Sequence, residues 1–216
     1  IKDAAGNKAY ADYAQWSIGG RAFYIYSKKL DFFADYTWTP TEARGGTSTT
    51  FINSATHAYS IGADGTITPK LNGTVQIGYT TKTFDASTVS SDGDFTASTN
   101  LIWKISQKRR LTLSLSRDFS VSPQDQSIFT SSGSLSLNQR FSKKLSGDAG
   151  LNYSKSEYTG TESRETYSYG FDTNLSSKIN KHTAVNLNYN FSRTDEKGLS
   201  TDYDRHLTTV DLNIKY

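Results

Sequence analysis

Residues Val185-Asn-Leu187-Asn-Tyr189-Asn-Phe191 alternate strictly between apolar or aromatic side chains and asparagine. Because successive side chains of a β-strand point to opposite faces, this stretch predicts a strand with one apolar and one polar face. Four further stretches have the same two-residue period, at 71–79, 111–116, 133–138 and 167–175. No stretch has the period of an amphipathic helix, so the chain is expected to be all-β.

Short lysine-rich turns connect these strands in pairs and recur about every 35–41 residues. They lie at 27–30, 68–71, 106–111, 142–145 and 178–182. Longer polar loops alternate with them, at about 40–53, 85–93, 121–127, 159–165 and 194–202. A propeller blade would place about four strands in such a period, whereas these units hold only two long ones. Short turns on one side and longer loops on the other are typical of outer-membrane β-barrels.

The composition combines low hydropathy with many aromatic residues. The mean hydropathy is -0.60, only 35% of residues are hydrophobic, and 13% are aromatic. An alternating membrane strand explains both values, because the polar face cancels the apolar face in any average. No stretch approaches 18 consecutive apolar residues, which excludes a transmembrane helix. The absence of cysteine excludes disulfides and thiol chemistry, and a dispersed net charge of +3 argues against nucleic-acid binding.

The pattern predicts about eleven strands of about 10–15 residues, which suits a tilted bilayer span better than a soluble sheet. A soluble β-sandwich would show the same alternation, but the strand length and the rhythm of turns and loops disfavour it. The predicted strands are 12–26, 30–39, 54–67, 71–84, 94–106, 109–121, 128–142, 145–158, 165–178, 182–194 and 203–216.

An odd number of strands conflicts with the even number found in single-chain bacterial barrels. We therefore expect residues 1–216 to form one transmembrane antiparallel up-and-down barrel domain that is incomplete at its N-terminus. At least one strand would precede residue 1, and the chain would be the C-terminal part of a larger barrel. The alternative is a miscount, with ten or twelve strands.

The final stretch, Thr208-Thr-Val210-Asp-Leu212-Asn-Ile214-Lys-Tyr216, has apolar residues at every second position and ends on an aromatic residue. It resembles the C-terminal signature of bacterial outer-membrane proteins, in which the last strand ends in Phe, Trp or Tyr. The resemblance implies a location in the bacterial outer membrane, contact with its lipids, and recognition by the barrel-assembly machinery. The hairpin rhythm extends the resemblance to porin-like barrels over nearly the whole chain, without identifying one family.

The alternation assigns polar residues to an inward face and aromatic residues near the strand ends to interfacial girdles. The predicted pore-lining residues are Arg21, Asp31, Asp35, Gln76, Lys104, Arg140, Asp148, Asp172, Asn186, Asn188, Asn190 and Asp211. The predicted girdle residues are Tyr24, Trp38, Tyr79, Trp103, Phe141, Tyr153, Phe191 and Tyr216.

An inward face that carries both charge signs predicts a hydrated pore for hydrophilic solutes with little charge selectivity. Porin-like barrels of surface-polysaccharide export are broadly similar, so a link to such export is a further expectation. The Lys-rich turns are candidate contacts for a periplasmic protein partner. One alternative is a non-conducting barrel that anchors a periplasmic or surface complex.

A second alternative is a rim-site hydrolase that uses His206 near Asp204. Such a site needs a nucleophile or activated water and a third, orienting group, which the sequence does not select. We therefore assign no catalytic residue and expect no enzyme activity. The three histidines have no metal-ligand spacing, so neither a metal site nor a cofactor is expected.

Overall fold

A computed structural model of the protein describes residues 12–44, 53–85, 91–121, 127–159, 164–197 and 202–214. None of these segments contains a helix that is long and apolar enough to cross a membrane. The strands are β1 (Asp12–Gln15), β2 (Ile18–Ser27), β3 (Leu30–Arg44), β4 (Ser54–Thr68), β5 (Leu71–Phe84), β6 (Asp92–Ser106), β7 (Arg109–Val121), β8 (Ser127–Arg140), β9 (Leu145–Thr159), β10 (Arg164–Lys178), β11 (Thr183–Lys197) and β12 (Tyr203–Ile214).

The strands form one antiparallel up-and-down sheet, in which neighbours along the chain are neighbours in space. β1 and β2 both pair with β3 in a single register, because Asp12 lies opposite Arg44 and Ile18 lies opposite Trp38. β1 and β2 are therefore two parts of one interrupted crossing of the sheet. We call each full crossing a pass, and the twelve strands make eleven passes. The all-β antiparallel fold predicted from the sequence is confirmed.

Pro40 explains the interruption between β1 and β2. The N–H of Trp16 donates to the carbonyl oxygen of Pro40 at 3.4 Å, but proline has no N–H with which to return a bond. A proline is tolerated here because its missing donor faces the first pass, at the edge of the sheet. The predicted end of the second strand at residue 39 is wrong, because Thr41 to Arg44 continue the ladder with β1.

The predicted loops at 159–165 and 194–202 are also too long. β10 begins at Arg164 and β11 runs to Lys197, so both strands extend into polar sequence. Glu165 lies directly opposite Lys197 in this part of the ladder. Opposite charges at paired positions stabilise a sheet, which allows charged residues to continue the strands.

The short turns share one hydrogen-bonding arrangement. The hydroxyl oxygen of Ser142 accepts hydrogen bonds from the backbone N–H groups of Lys144 and Leu145, at 3.1 and 3.0 Å. Such local bonds favour a turn over continuation of the strand. The corresponding acceptors in the other turns are Ser27, Thr68, Ser106 and Asn180.

The strand registers place each side chain on one of two faces of the sheet. We define these faces by two consecutive residues of β8, Leu135 and Ser134. Leu135 pairs with Leu113 and Leu151 on the apolar face, and Ser134 pairs with Ser114 and Asn152 on the polar face. The sheet is a single layer, and Phe33, at 4% exposure, is the buried hydrophobic residue of the described segments. The described residues supply no second sheet to cover the apolar face, so the β-sandwich alternative is wrong.

The two edges of the sheet are β1/β2 and β12, and these do not pair with each other in the described segments. Antiparallel passes alternate in direction, so the first and the eleventh pass run the same way. Pairing them directly would create a parallel ladder in an otherwise antiparallel sheet.

The two faces lead to a prediction for neighbouring substitutions on β8. Leu135→Arg would place a cation against lipid and destabilise the folded protein in bilayers by about 2–4 kcal/mol. Ser134→Arg, one residue away on the polar face, is expected to cost much less because its side chain stays in water. Unfolding in urea from lipid vesicles measures both variants. Equal losses of stability, or a larger loss for Ser134→Arg, would show that the faces are assigned wrongly.

Candidate functional site: the polar face of the sheet

The polar face is continuous across the sheet. One row of paired residues crosses six strands on this face: Ser134, Ser114, Asn100, Thr74, Asp64 and Asp31. The same register brings together on this face all twelve residues predicted to line a pore. These are Arg21, Asp31, Asp35, Gln76, Lys104, Arg140, Asp148, Asp172, Asn186, Asn188, Asn190 and Asp211.

Hydrogen bonds link the polar side chains of adjacent strands. Asn188 donates to Asp211 at 2.9 Å between β11 and β12, and Asn138 donates to Asp148 between β8 and β9. Charges of both signs are spread over the face rather than gathered in one ring. Such a polar surface is readily hydrated.

Two glycines of the polar face make room for the polar side chains opposite them. A Cβ atom at Gly150 would lie 2.5 Å from the Oδ1 of Asp172, and one at Gly170 would lie 2.3 Å from the Oδ1 of Asn152. Each glycine is the direct cross-strand partner of the residue that it accommodates. The sequence gives no signal for this role, because it depends on which residues face each other across the ladder.

The apolar face carries a band of aromatic side chains toward the loop ends. Tyr36, Tyr59, Tyr79 and Phe95 lie opposite one another on β3 to β6. The ring centroids of Tyr36 and Tyr59 are 5.0 Å apart, and those of Tyr79 and Phe95 are 5.3 Å apart. Further ring contacts of this aromatic band are Trp16–Trp38, Phe119–Phe129 and Tyr153–Tyr169.

The predicted girdle residues that the structure describes lie on the apolar face, in two groups. Trp38, Tyr79, Tyr153 and Phe191 lie in the half of the strands nearer the long loops, and Tyr24, Trp103 and Phe141 lie nearer the short turns. Tyr216 lies outside the described residues. Two groups of aromatic side chains separated along the strands are the arrangement expected at two membrane interfaces.

Two histidines belong to the aromatic band. The Nδ1 of His57 lies 2.9 Å from the hydroxyl of Tyr36, and the Nδ1 of His206 lies 3.0 Å from the hydroxyl of Tyr189. The ring of His206 also packs against Phe191, with centroids 4.9 Å apart. The two-residue period places both histidines on the apolar face, but their partners could be identified only from the register.

A charged cluster lies on the same face beyond the aromatic band, at the loop ends of β9 to β11. Glu165 accepts hydrogen bonds from the Tyr167 hydroxyl at 2.7 Å and from the Lys197 Nζ at 3.2 Å. Lys155 lies 3.2 Å from the second oxygen of Glu165 and also contacts Glu157. The bonds from Tyr167, Lys197 and Lys155 lower the pKa of Glu165 to about 2. The bond to Glu157, with that to Glu165, raises the pKa of Lys155.

The low pKa of Glu165 gives a prediction for the dependence of stability on pH. The stabilisation from its charged form is complete above the ordinary value of 4.5 and is lost as the pH falls toward about 2. The difference in thermal midpoint between the wild type and Glu165→Gln should therefore be constant from neutral pH down to about pH 5, and should vanish near pH 2. Circular dichroism of the detergent-folded protein measures it.

The matched control is Asp118→Asn, because Asp118 is exposed and has no ion pair within the segments that the structure describes. At neutral pH this variant should unfold close to the thermal midpoint of the wild type, because it breaks no ion pair. If the gap between the wild type and Glu165→Gln were as large near pH 2 as at neutral pH, Glu165 would not be held ionised by its neighbours.

The contacts of His206 do not support the hypothesis of a hydrolase site at the rim. Its contacts are with Tyr189 and Phe191, whereas Asp204 lies 3.9 Å from the Nε of Arg193. Within the described residues, no group of three or more His, Cys, Asp or Glu side chains could hold a metal ion.

Comparison with protein families gives a match over nearly the whole chain. Residues 3–216 match the family model described as "Putative beta-barrel porin 2". No curated protein matches the sequence.

Comparison with solved structures gives outer-membrane barrels of very different sequence. The FrpB iron transporter of Neisseria meningitidis (F3-3 variant) is similar with a TM-score of 0.63 and 8% identity, over 89% of this chain. The chain spans 36% of the length of FrpB. The TodX monoaromatic hydrocarbon channel has a TM-score of 0.40 and 10% identity, over 99% of this chain and 77% of TodX. The OmpT outer membrane protein of Vibrio cholerae, with loop L8 deleted, has a TM-score of 0.38 and 8% identity, over 94% and 99%.

Proposed function

We propose that this chain, which belongs to that porin family and is a porin-like barrel protein of the bacterial outer membrane, forms part of a channel for small hydrophilic solutes. The observation that carries the proposal is the continuous polar face, opposite an apolar face with two aromatic groups. In a membrane barrel the apolar face meets lipid, and the polar face then encloses water. The chain does not act as an enzyme on this proposal.

A closed channel requires more strands than the eleven passes of the described sheet. Because both edges run in the same direction, an antiparallel barrel needs an odd number of additional strands between them. These strands come from the same polypeptide or from a neighbouring one. The similarity of the fold to FrpB, of which the chain spans 36%, supports an arc of a larger barrel.

The distribution of charge supports a channel with weak ion selectivity. Arg21 is paired with Asp35 at 2.5 Å on the polar face, and elsewhere this face carries acids such as Asp172 and bases such as Lys104. A selective pore would concentrate one sign of charge at a constriction. Uncharged polar solutes and small ions of either sign are therefore the expected cargo.

We also propose partners for this chain and a link to export. The short turns carry Lys28, Lys29, Lys143 and Lys144, which would present a basic surface to an acidic periplasmic protein. The barrel-assembly machinery would recognise the exposed edge strand β12. A link to the export of surface polysaccharide remains a prediction from the resemblance to porin-like barrels. The surrounding partner is the lipid of the outer membrane.

Conductance in planar lipid bilayers tests the channel. The full-length protein should give discrete current steps, with a zero-current potential close to zero in a KCl gradient. Asn188→Lys combined with Asn190→Lys adds two cations to the polar face and should shift this potential toward that of chloride. The control Gln107→Lys combined with Ile179→Lys places the same two charges in short turns and should leave the potential unchanged.

A barrel that gives no current steps would instead favour the scaffold hypothesis, in which the protein anchors a periplasmic or surface complex. Current steps whose selectivity is unaffected by the two lysines would mean that the polar face does not line the conducting path.

A further inference from the structure

A pit of about 420 Å³ opens on the polar face where β2 to β6 come together. Its wall includes the charged pair Arg21 and Asp35, the amide of Gln76, and the hydroxyls of Ser60 and Thr37. Its remaining lining is small or neutral: Gly19, Gly20, Ala58, Tyr59 and Thr96. The volume lies in the range of small-molecule sites and would hold one or two sugar rings.

Small residues keep the pit open. Gly19 lies opposite Thr37, and Ala58 is the next partner of Thr37 in the same row. A Cβ atom at Gly19 would lie 2.8 Å from the Oγ1 of Thr37, so a larger residue there would push into the pit. Gly78, opposite Ser60, is similarly constrained, because its Cβ would lie 2.5 Å from the carbonyl oxygen of Tyr59.

A network of hydrogen bonds holds the polar groups of the pit in place across four strands. Arg21 donates from Nε and Nη2 to both carboxylate oxygens of Asp35, at 2.5 and 2.7 Å. Ser60 donates to Asp35 at 3.4 Å, and the Nε2 of Gln76 donates to Ser60 at 2.8 Å. The side chain of Asp35 is only 14% exposed, so the carboxylate is fixed rather than mobile. A preorganised set of donors and acceptors costs little entropy when a ligand binds.

The chemistry of this network fits hydroxyl groups. A guanidinium has five N–H donors, of which Asp35 takes two, and an amide side chain both donates and accepts. Adjacent hydroxyls of a sugar can accept from Arg21 and donate to Asp35 or Gln76. The pair of Arg21 and Asp35 has no net charge, so the pit does not favour an ionic solute over a neutral one.

An apolar surface adjoins the polar groups on the same face. Phe23 follows Arg21 by two residues on β2, and the residue is 59% exposed. Phe33 is buried between it and Gly62, and the Arg21 guanidinium lies 4.4 Å from the Phe33 ring centroid. A sugar ring has apolar C–H faces as well as hydroxyl edges, and it could therefore contact Phe23 and the network together.

We propose that this pit is a subsite for a neutral polyhydroxylated solute, a monosaccharide or disaccharide in size. The proposal rests on the proposed function, because it needs the polar face to be the wet side of the barrel. The subsite would make the channel wall bind its solute at one defined place, on strands β2 to β5.

Binding of maltose to the full-length protein in detergent, measured by isothermal titration calorimetry, tests the subsite without requiring a current. Saturable binding is expected in the wild type. Gln76→Ala should weaken it by about tenfold, because one hydrogen bond to the sugar and the bond to Ser60 are lost. Ala58→Leu should weaken it at least as much by filling the pit, without touching the hydrogen-bonding residues.

The control is Ala184→Leu, the same substitution on the polar face of β11 and far from the pit. It should bind maltose as the wild type does. Polyethylene glycol of similar mass, which has ether oxygens and only terminal hydroxyls, should not compete.

Absent binding, or binding that Ala58→Leu and Gln76→Ala leave unchanged, would overturn the subsite. Conductance measured separately distinguishes the two proposals. A conducting protein that binds no maltose contradicts only the subsite, and a non-conducting protein that binds maltose at the pit contradicts only the channel.

Discussion

The two-residue period of an antiparallel ladder is the constraint on which the rest of this structure depends. Each strand must present its apolar residues to one side of the sheet. Each strand pairing must also keep the apolar residues of the next strand on that same side, and we call this shared alternation the phase. A slip of one residue in any ladder would move the apolar side chains of a strand onto the polar face. The pairing of Leu113 with Leu135 and of Leu135 with Leu151 shows the phase preserved. In a bilayer, where backbone groups cannot bond to water, the same ladder also satisfies the N–H and C=O groups.

The small irregularities of the sheet follow from keeping this phase. Pro40 removes one donor, yet β1 and β2 stay in one register with β3 on either side of it. Gly150 and Gly170 stand where a side chain would collide with Asp172 and Asn152, so polar side chains lie across the face without displacing the strands. The pit at Arg21 and Asp35 arises in the same way, from small residues in the rows beside a fixed ion pair.

Local alternation predicted the strands and the faces well, because each face assignment needs only a residue's position within its own strand. Asn186, Asn188 and Asn190 were assigned to the polar face on that basis, and the register brings them there. What required the structure was the identity of cross-strand partners. The bonds of His57 to Tyr36 and of Gln76 to Ser60 join residues whose mutual position depends on turn length and register. The extension of β3 beyond Pro40 was missed because a proline in isolation predicts the end of a strand.

The central claim is that the polar face meets water and the apolar face meets lipid. The chain contains no cysteine, so single cysteines can be placed along β11 without a background thiol. With the protein folded in lipid vesicles, a water-soluble maleimide should label positions 186, 188 and 190. Cysteines at positions 185, 187 and 189 should react poorly with the maleimide. A fluorophore attached at these positions should be quenched by lipid-bound spin labels. Labelling without a two-residue period, or with the opposite phase, would contradict the assignment of the two faces.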